Sequence, residues 1–245
     1  VYLRWEVRAQ DRMATPPLPT PERIFTHDRE ATTLSFYLQG DGSATDRKPE
    51  GRPGDIRIVF GLHDDRGITK AAAVGLYPRW DGPGTASPFL YASPGQRTAF
   101  AHVGVLDAVK LAHRLSDDRK TLVIAAAIPR SVLPKTVPDL EKGWRTAANF
   151  EATLGGAHKV WWSNADGSAS RETRDEPTEA RFYPGAWSPC AFGPLADGLP
   201  VREWLVNGPW KAEIKYTGET ENKRSFQQFF DATTFPPDSR RVTSA

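Results

Sequence analysis

Residues 1–8 alternate between apolar and polar side chains, which predicts a half-buried β-strand at the start of the chain. One side of this strand carries Val1, Leu3, Trp5 and Val7, and the other carries Tyr2, Arg4 and Glu6. Proline at positions 16, 17, 19 and 21 excludes a helix in the segment that follows, so we predict an extended loop there.

Further segments rich in β-branched, aromatic and small apolar residues predict the next strands. They cover residues 32–38, 54–61, 71–77, 121–129, 143–152 and 158–163. Residues 103–112 fit either a pair of strands or a short helix, and residues 131–134 predict a helical turn capped by Ser131. Because strands follow one another at short intervals with almost no amphipathic helix between them, the chain is predicted to be all-β, an antiparallel β-sandwich.

A change of pattern near residue 197 predicts a domain boundary. Residues 196–200 are typical of a linker, residues 201–210 predict a new strand, and residues 218–245 are polar with two adjacent prolines. We therefore predict a sandwich over residues 1–196, and a linker with the start of a following domain over residues 197–245.

Charge and composition limit the classes of partner. The 32 Lys and Arg against 30 Asp and Glu are interspersed, so no basic stripe for nucleic acid is expected. The longest apolar run, residues 122–128, is far shorter than the roughly 20 residues that span a bilayer, so no membrane segment is expected. Cys190 is the single cysteine, which excludes an internal disulfide and a paired-cysteine metal or redox site. The chain opens directly on a strand without a signal peptide, as expected for a mature or cleaved piece of a longer protein.

No motif for catalysis stands out. Phosphate-binding loops, zinc helices and nucleophile elbows are absent, and no feature favours a pair of glycosidase carboxylates, so an enzyme is not expected. Met13, the only methionine, is conceivable as a haem ligand with a His or Lys opposite, the alternative being a residue that fills a gap. The acidic turns Asp64-Asp65 and Asp117-Asp118 are candidates for structural calcium, the alternative being ordinary surface turns.

Tryptophans raise the main question about function. Trp187 lies in the Gly/Pro-rich stretch 185–195, where its ring is either folded back into the core or held out for a flat apolar partner. Trp161 and Trp162 are neighbours in a predicted strand and must point to opposite faces, so at most one of them is a core residue.

These segments together resemble the family 9 carbohydrate-binding modules over roughly residues 1–196. The residues that carry the resemblance are the strands at 1–7, 34–38 and 55–58, residues 125–129, Asn149, Trp162-Ser163, and Trp187 with Phe192-Gly193 and Leu195. A branch found in large bacterial proteins, often planctomycetal, is resembled by residues 54–61, 75–80, 149–152 with Gly155-Gly156, 159–162 and 176–181, and it is often followed by a segment like residues 204–210.

The resemblance implies a jelly-roll-like sandwich that binds sugar without catalysis. In this family the sugar lies between two Trp rings; Trp187 matches one ring, and Arg57 matches an arginine that donates hydrogen bonds to the sugar. Trp162 matches a structural Trp. The resemblance further implies an extracellular, periplasmic or cell-surface location, with a carbohydrate and other domains or chains of a larger protein as partners.

The chain departs from the family pattern at two places. The second stacking Trp is replaced by Phe25-Thr26-His27, so Phe25 and Trp80 are the candidates for that ring, and Asn149 is a further candidate ligand contact. The family also begins one or two strands before Val1, which predicts that those strands lie in a segment absent here or come from another chain.

Three hypotheses remain open on the sequence. Sugar binding predicts an exposed Trp187 beside Arg57 in a cleft. A structural sandwich that positions neighbouring domains predicts that Trp187 is packed inward. A haem-binding relative of the same sandwich class predicts Met13 opposite a His or Lys. The residues do not indicate a particular glycan, an oligomeric state or a parent protein.

Overall fold

The computed structural model describes residues 1–18, 20–26, 32–40, 51–82, 84–92, 97–133, 144–154, 158–163, 182, 184–192, 212–218 and 224–230. Its strands, in chain order, are β1 (Tyr2–Arg8), β2 (Thr33–Leu38), β3 (Ile56–Asp65), β4 (Ile68–Tyr77), β5 (Phe89–Ala92), β6 (Arg97–Phe100), β7 (His102–Val105), β8 (Lys110–Leu115), β9 (Thr121–Ala127), β10 (Trp144–Leu154), β11 (His158–Trp161), β12 (Ser188–Phe192), β13 (Ala212–Gly218) and β14 (Arg224–Phe230). Short 3-10 helices cover Pro21–Thr26, Arg130–Val132 and Pro184–Ala186.

Two antiparallel sheets form the body of the fold. The larger sheet has seven strands in the order β11-β10-β2-β3-β4-β7, with β12 paired to β10 as well, and the smaller sheet has the order β1-β9-β8. Two hairpins, β5-β6 and β13-β14, form separate two-stranded sheets. None of the helices described is long and apolar enough to cross a membrane.

The core lies between the two sheets. Alternate residues of β2 and β3 face the smaller sheet, and alternate residues of β1 and β9 face the larger sheet and pack against them. The main contributors are Leu34, Phe36, Leu38, Ile56, Ile58 and Phe60 from the larger sheet and Val7, Leu122, Ile124 and Ala126 from the smaller one. This arrangement confirms the predicted all-β sandwich.

A second apolar cluster covers the opposite side of the larger sheet, which we call the outer face. It includes Ile24 from the first 3-10 helix, Phe100 from β6, and Phe182 and Trp187. A β-carbon on Gly61 would lie 2.7 Å from Cδ1 of Ile24, so this helix approaches β3 closely only because residue 61 has no side chain. The central strands of the larger sheet are therefore buried on both faces, and β2 is buried at every position.

Most predicted strands are confirmed, with informative differences. Residues 103–112 form two strands rather than a helix, and the two belong to different sheets. The helical turn near 131 exists, but the predicted cap is wrong: the 3-10 helix begins at Arg130, its N-cap position is Pro129, and no side chain caps it. Strands β5, β6, β12, β13 and β14 were not predicted, β12 because Gly and Pro in residues 185–195 indicated a loop.

The predicted domain boundary stays a prediction. Residue 197 and the predicted strand at 201–210 lie outside the described residues. In the part of the tail that is described, β13 and β14 form an antiparallel hairpin.

Asp55 anchors the chain where it enters β3. Its side chain is buried at 1% exposure, and its two carboxylate oxygens accept the backbone N–H groups of Gly40 and Arg52, at 3.0 and 2.8 Å. A β-carbon on Gly40 would lie 2.3 Å from the carbonyl oxygen of Gly54, so the two segments meet backbone to backbone. The carboxylate thus ties residue 40 to the start of β3.

We expect Asp55→Ala to lower the free energy of unfolding by about 1–3 kcal/mol, because it leaves the buried N–H of Gly40 and the partly buried N–H of Arg52 without these acceptors. Urea denaturation followed by circular dichroism measures the change. The matched control is Asp107→Ala, which removes an exposed turn carboxylate and should change stability by about 0.5 kcal/mol or less. Equal effects of the two substitutions would contradict an anchoring role for Asp55.

Candidate functional site

A group of polar side chains lies on the outer face of the larger sheet. It includes Arg57, which the family resemblance named as a sugar contact. Antiparallel pairing places Tyr37 opposite Arg57, Ser35 opposite Glu151, and Glu151 opposite Trp161. Side chains of directly paired residues on one face stand close together, so the register alone assembles the group. We call it the Glu151 network; its members are Ser35, Tyr37, Arg57, Glu151, Thr153 and Trp161.

Glu151 is the centre of this network. Its Oε2 accepts hydrogen bonds from the Tyr37 hydroxyl at 2.5 Å and from the Trp161 indole N–H at 3.1 Å. Its Oε1 accepts from the Thr153 hydroxyl at 3.1 Å and from Nη2 of Arg57 at 3.4 Å. An ionised carboxylate has about four acceptor positions, so these donors use its capacity. Glu151 is 2% exposed, so its negative charge is buried and is stabilised by these protein hydrogen bonds in place of water.

Arg57 is engaged by the same network. Its Nε and Nη2 donate to the Ser35 hydroxyl at 3.2 and 3.1 Å, and Nη2 also forms the ion pair with Glu151. The centre of the guanidinium lies 5.1 Å from the centroid of the Tyr37 ring. Arg57 is 2% exposed, so the predicted placement of this guanidinium in an open cleft is wrong.

Trp187 is also buried, with 1% exposure, so the exposed ring that the sugar-binding hypothesis predicts is wrong and the alternative, a ring folded back into the core, is correct. The short helix Pro184–Ala186 ends immediately before it, and β12 begins immediately after it and pairs with β10. These neighbours fix Trp187 against the outer face, where its ring centroid lies 5.7 Å from that of Tyr37 and 5.1 Å from that of Phe182. Trp187 and Arg57 do come together, since both contact Tyr37, but they do so inside the protein.

Asn149 joins β10 to the residues that follow β11 through side-chain hydrogen bonds. Its Oδ1 accepts the backbone N–H groups of Phe150 and Ser163, both at 2.9 Å, and its Nδ2 donates to the carbonyl of Ser163 at 3.0 Å. This buried amide holds the chain after β11 against β10. Its hydrogen bonds are therefore used for local structure.

Of the two candidates for the second stacking ring, the structure describes the side chain of Trp80 only, and it packs in a different cluster from Trp187. Trp80 packs with the core cluster between the sheets, and its ring stacks on His102 at 3.9 Å between centroids. Trp187 belongs to the cluster on the outer face, so the idea that Trp80 approaches it from its own loop is wrong. Phe25 lies in the 3-10 helix Pro21–Thr26, and its side chain is outside what the structure describes.

Trp161 and Trp162 point to opposite sides, as predicted. Trp161 is partly buried, packs against the outer-face cluster and donates to Glu151. Trp162 is also partly buried, and its ring meets the edge of Phe150 at 5.7 Å, on the side of the sandwich core.

The remaining candidates have local explanations. Met13 is buried in the core between the sheets, where packing accounts for its position. Asp64 accepts the N–H of Gly67 at 2.8 Å, and the Ser116 hydroxyl and the Lys120 N–H lower the pKa of Asp118 by hydrogen bonding to its carboxylate. Among the residues that the structure describes, no three His, Cys, Asp or Glu side chains are placed to hold a metal ion, so the proposed calcium turns gain no support.

Glu151, Tyr37 and Trp161 were not predicted from the sequence as members of one site. A signal was present: alternation puts Asn149, Glu151 and Thr153 on one side of a strand, and a charged residue that a sandwich buries needs a partner. Which partners it meets depends on strand register, and the sequence does not specify register between distant strands.

Comparison of the chain with protein-family models, with curated proteins and with solved structures found no match in any of the three. The resemblance to family 9 carbohydrate-binding modules therefore stays a prediction from the residues.

Proposed function

We propose that this chain is a non-catalytic β-sandwich with a structural role, which holds neighbouring domains or chain segments of a larger extracytoplasmic protein in position. The observation that carries the proposal is the burial of Trp187 and Arg57 together. These two residues carry the implied sugar contacts, and both are used inside the fold.

The physical argument concerns what a sugar would need. Stacking requires an indole face open to solvent, and recognition of hydroxyl groups requires donors that point into a cleft. The Trp187 ring instead meets Tyr37 and Phe182, and the Arg57 fork meets Ser35 and Glu151. Opening such a site would expose apolar rings and separate a buried ion pair, which costs several kcal/mol.

A second candidate function is weak carbohydrate binding at the edge of the larger sheet. Trp161 favours it, because its ring is only partly buried while its indole N–H is fixed by Glu151. A partly open ring that is held in one orientation is suited to the apolar face of a pyranose. The affinity expected for one such contact is on the order of millimolar to micromolar. The carbohydrate partner belongs to this second proposal and the extracellular or periplasmic location to both; each derives from the family resemblance.

One titration separates the two functions. Intrinsic tryptophan fluorescence of the full chain is followed during addition of mono- and oligosaccharides, with circular dichroism to verify folding. The structural role predicts no saturable change with any sugar. Edge binding predicts a saturable change that Trp161→Ala abolishes and that the matched control Trp162→Ala, on the opposite side, retains. A saturable change that survives Trp161→Ala but is lost in Trp187→Phe would overturn both proposals and restore the cleft around Trp187.

A further inference from the structure

His102 connects a surface segment to the edge of the larger sheet. It opens β7, the strand at one edge of that sheet, and pairs across the sheet with Tyr77. Its ring stacks on Trp80 with 3.9 Å between centroids and 24° between planes. Its Nδ1 accepts the backbone N–H of Ser87 at 2.9 Å. One imidazole therefore holds both ends of the segment formed by residues 80–82 and 84–87, which we call the Trp80 loop.

Among the described residues, the loop makes few other hydrogen bonds. The Ser87 carbonyl accepts the N–H of Val103 at 2.9 Å, and the Trp80 indole N–H lies 3.5 Å from the carbonyl of Gly84 within the loop itself. The residues at 84–87 are exposed. Trp80 itself packs against the core cluster and contacts the Tyr77 ring at 4.9 Å between centroids. The exposed end of the loop, residues 84–87, therefore depends on the imidazole more than on apolar burial.

The hydrogen bond fixes the protonation state of His102. An imidazole nitrogen accepts a hydrogen bond only when it carries no proton, and in the imidazolium both nitrogens are donors. Protonation of Nδ1 would set two N–H groups, those of His102 and Ser87, against each other. The loop geometry is consequently that of the neutral ring.

We propose that His102 is a pH-dependent latch, which holds the Trp80 loop on the edge of the larger sheet while neutral and releases it when protonated. The released state would free the exposed end of the loop, residues 84–87, together with the contact between the Trp80 indole N–H and the Gly84 carbonyl, at acidic pH. This inference is independent of the proposed structural role and of sugar binding.

The other ionisable groups at this corner do not oppose the latch. Burial raises the pKa of Tyr77 to about 12, with a contribution from the carboxylate of Asp81, so the phenol stays neutral throughout the range in question. Burial lowers the pKa of His102 from its ordinary value of 6.5. A group whose folded pKa is depressed stabilises its contacts above the unfolded pKa and loses this stabilisation as the pH falls through the folded one. Release is therefore expected below pH 6.5.

The test is a pH titration of the full chain from pH 8 to 5, followed by ¹H–¹⁵N NMR. Three signals are recorded: the His102 imidazole, the Ser87 amide and the Trp80 indole N–H, the last assigned with Trp80→Phe. We expect one shared midpoint below 6.5. Hydrogen exchange of the Ser87 amide, corrected for intrinsic pH dependence, should accelerate about tenfold for each unit of pKa depression.

Variants supply the controls. His102→Asn places an acceptor oxygen where Nδ1 lies and does not titrate, so it should keep Ser87 protected at every pH. His113→Asn, at an exposed position on β8, should leave the transition of the parent chain unchanged. A Ser87 amide that stays protected, and a Trp80 signal that does not move, while the His102 imidazole titrates would overturn the latch; this result is readable in the parent chain even if a variant fails to fold. Persistence of the same midpoint in His102→Asn would overturn it as well.

Discussion

Glu151→Gln is expected to lower the free energy of unfolding by about 3–5 kcal/mol, the usual cost of removing one partner from a buried ion pair. Glutamine preserves the shape of the side chain but removes the charge that Arg57 faces. It also places an NH₂ group among donors that now share one carboxylate, including Tyr37 and Trp161. Urea denaturation with two independent probes measures the change.

The matched control is Glu6→Gln on β1. Glu6 also lies in a strand and forms ion pairs with two arginines, Arg4 and Arg8, at 3.3 and 3.1 Å, but it is partly open to solvent. We expect its replacement to cost about 0–1 kcal/mol. Equal losses of unfolding free energy in the two variants would show that burial does not make the Glu151 ion pair more important for stability than the exposed one.

A double-mutant cycle tests the pair itself. Arg57→Met alone should be strongly destabilising, because the Glu151 charge is then buried with one partner fewer. The combination of Arg57→Met with Glu151→Gln should cost clearly less than the sum of the single losses, since contacting residues are coupled. Additive losses would contradict a direct ion pair.

Trp187→Ala is expected to be the second large loss, about 3–5 kcal/mol, because it opens a cavity under the turn that precedes β12. The substitution also removes the ring contacts with Tyr37 and Phe182. Thermal and urea unfolding measure the loss.

Trp162→Ala serves as its matched control. The same side-chain atoms are removed, but from a partly buried position with one ring contact, to Phe150. A smaller loss is expected there. If Trp187→Ala cost about 1 kcal/mol or less, the ring would not be part of the folded framework and the structural role would lose its main support.

The strands of the sandwich core were predictable because the residue pattern within each segment is enough to indicate a strand. Val1 to Val7 alternate, and residues 32–38 and 54–61 are rich in β-branched and aromatic residues, so these segments indicate strands without knowledge of their neighbours. The same alternation places Arg57 on the face opposite Ile56 and Ile58, as the structure shows.

The burial of Trp187 was not predictable, because the residue pattern of its own segment fits a buried ring and an exposed ring equally well. What decides it is the pairing of β12 with β10 and the placement of Phe182 over the ring, which are contacts between elements distant in the chain. Pro189 and the glycines around it suppress the local strand signal, although proline is tolerated in a strand that lies at a sheet edge.

The Glu151 network was hidden for a related reason. Its donors come from β2, β3, β10 and β11, so it exists only in the observed register of four strands. A shift of one residue in any of these pairings would turn the polar side chains to the other face. The contact of His102 with Ser87 likewise joins residues that no short motif links.

The most direct test of the central claim is the solvent accessibility of the Trp187 indole in the intact chain. ¹H–¹⁵N spectra resolve indole N–H signals, and Trp187→Phe assigns the relevant one. The structural account predicts that a soluble paramagnetic chelate leaves the Trp187 signal sharp and that no saccharide shifts it. Broadening of that signal to the extent seen for exposed indoles, or a saturable shift with any sugar, would contradict the account and return Trp187 to a binding cleft.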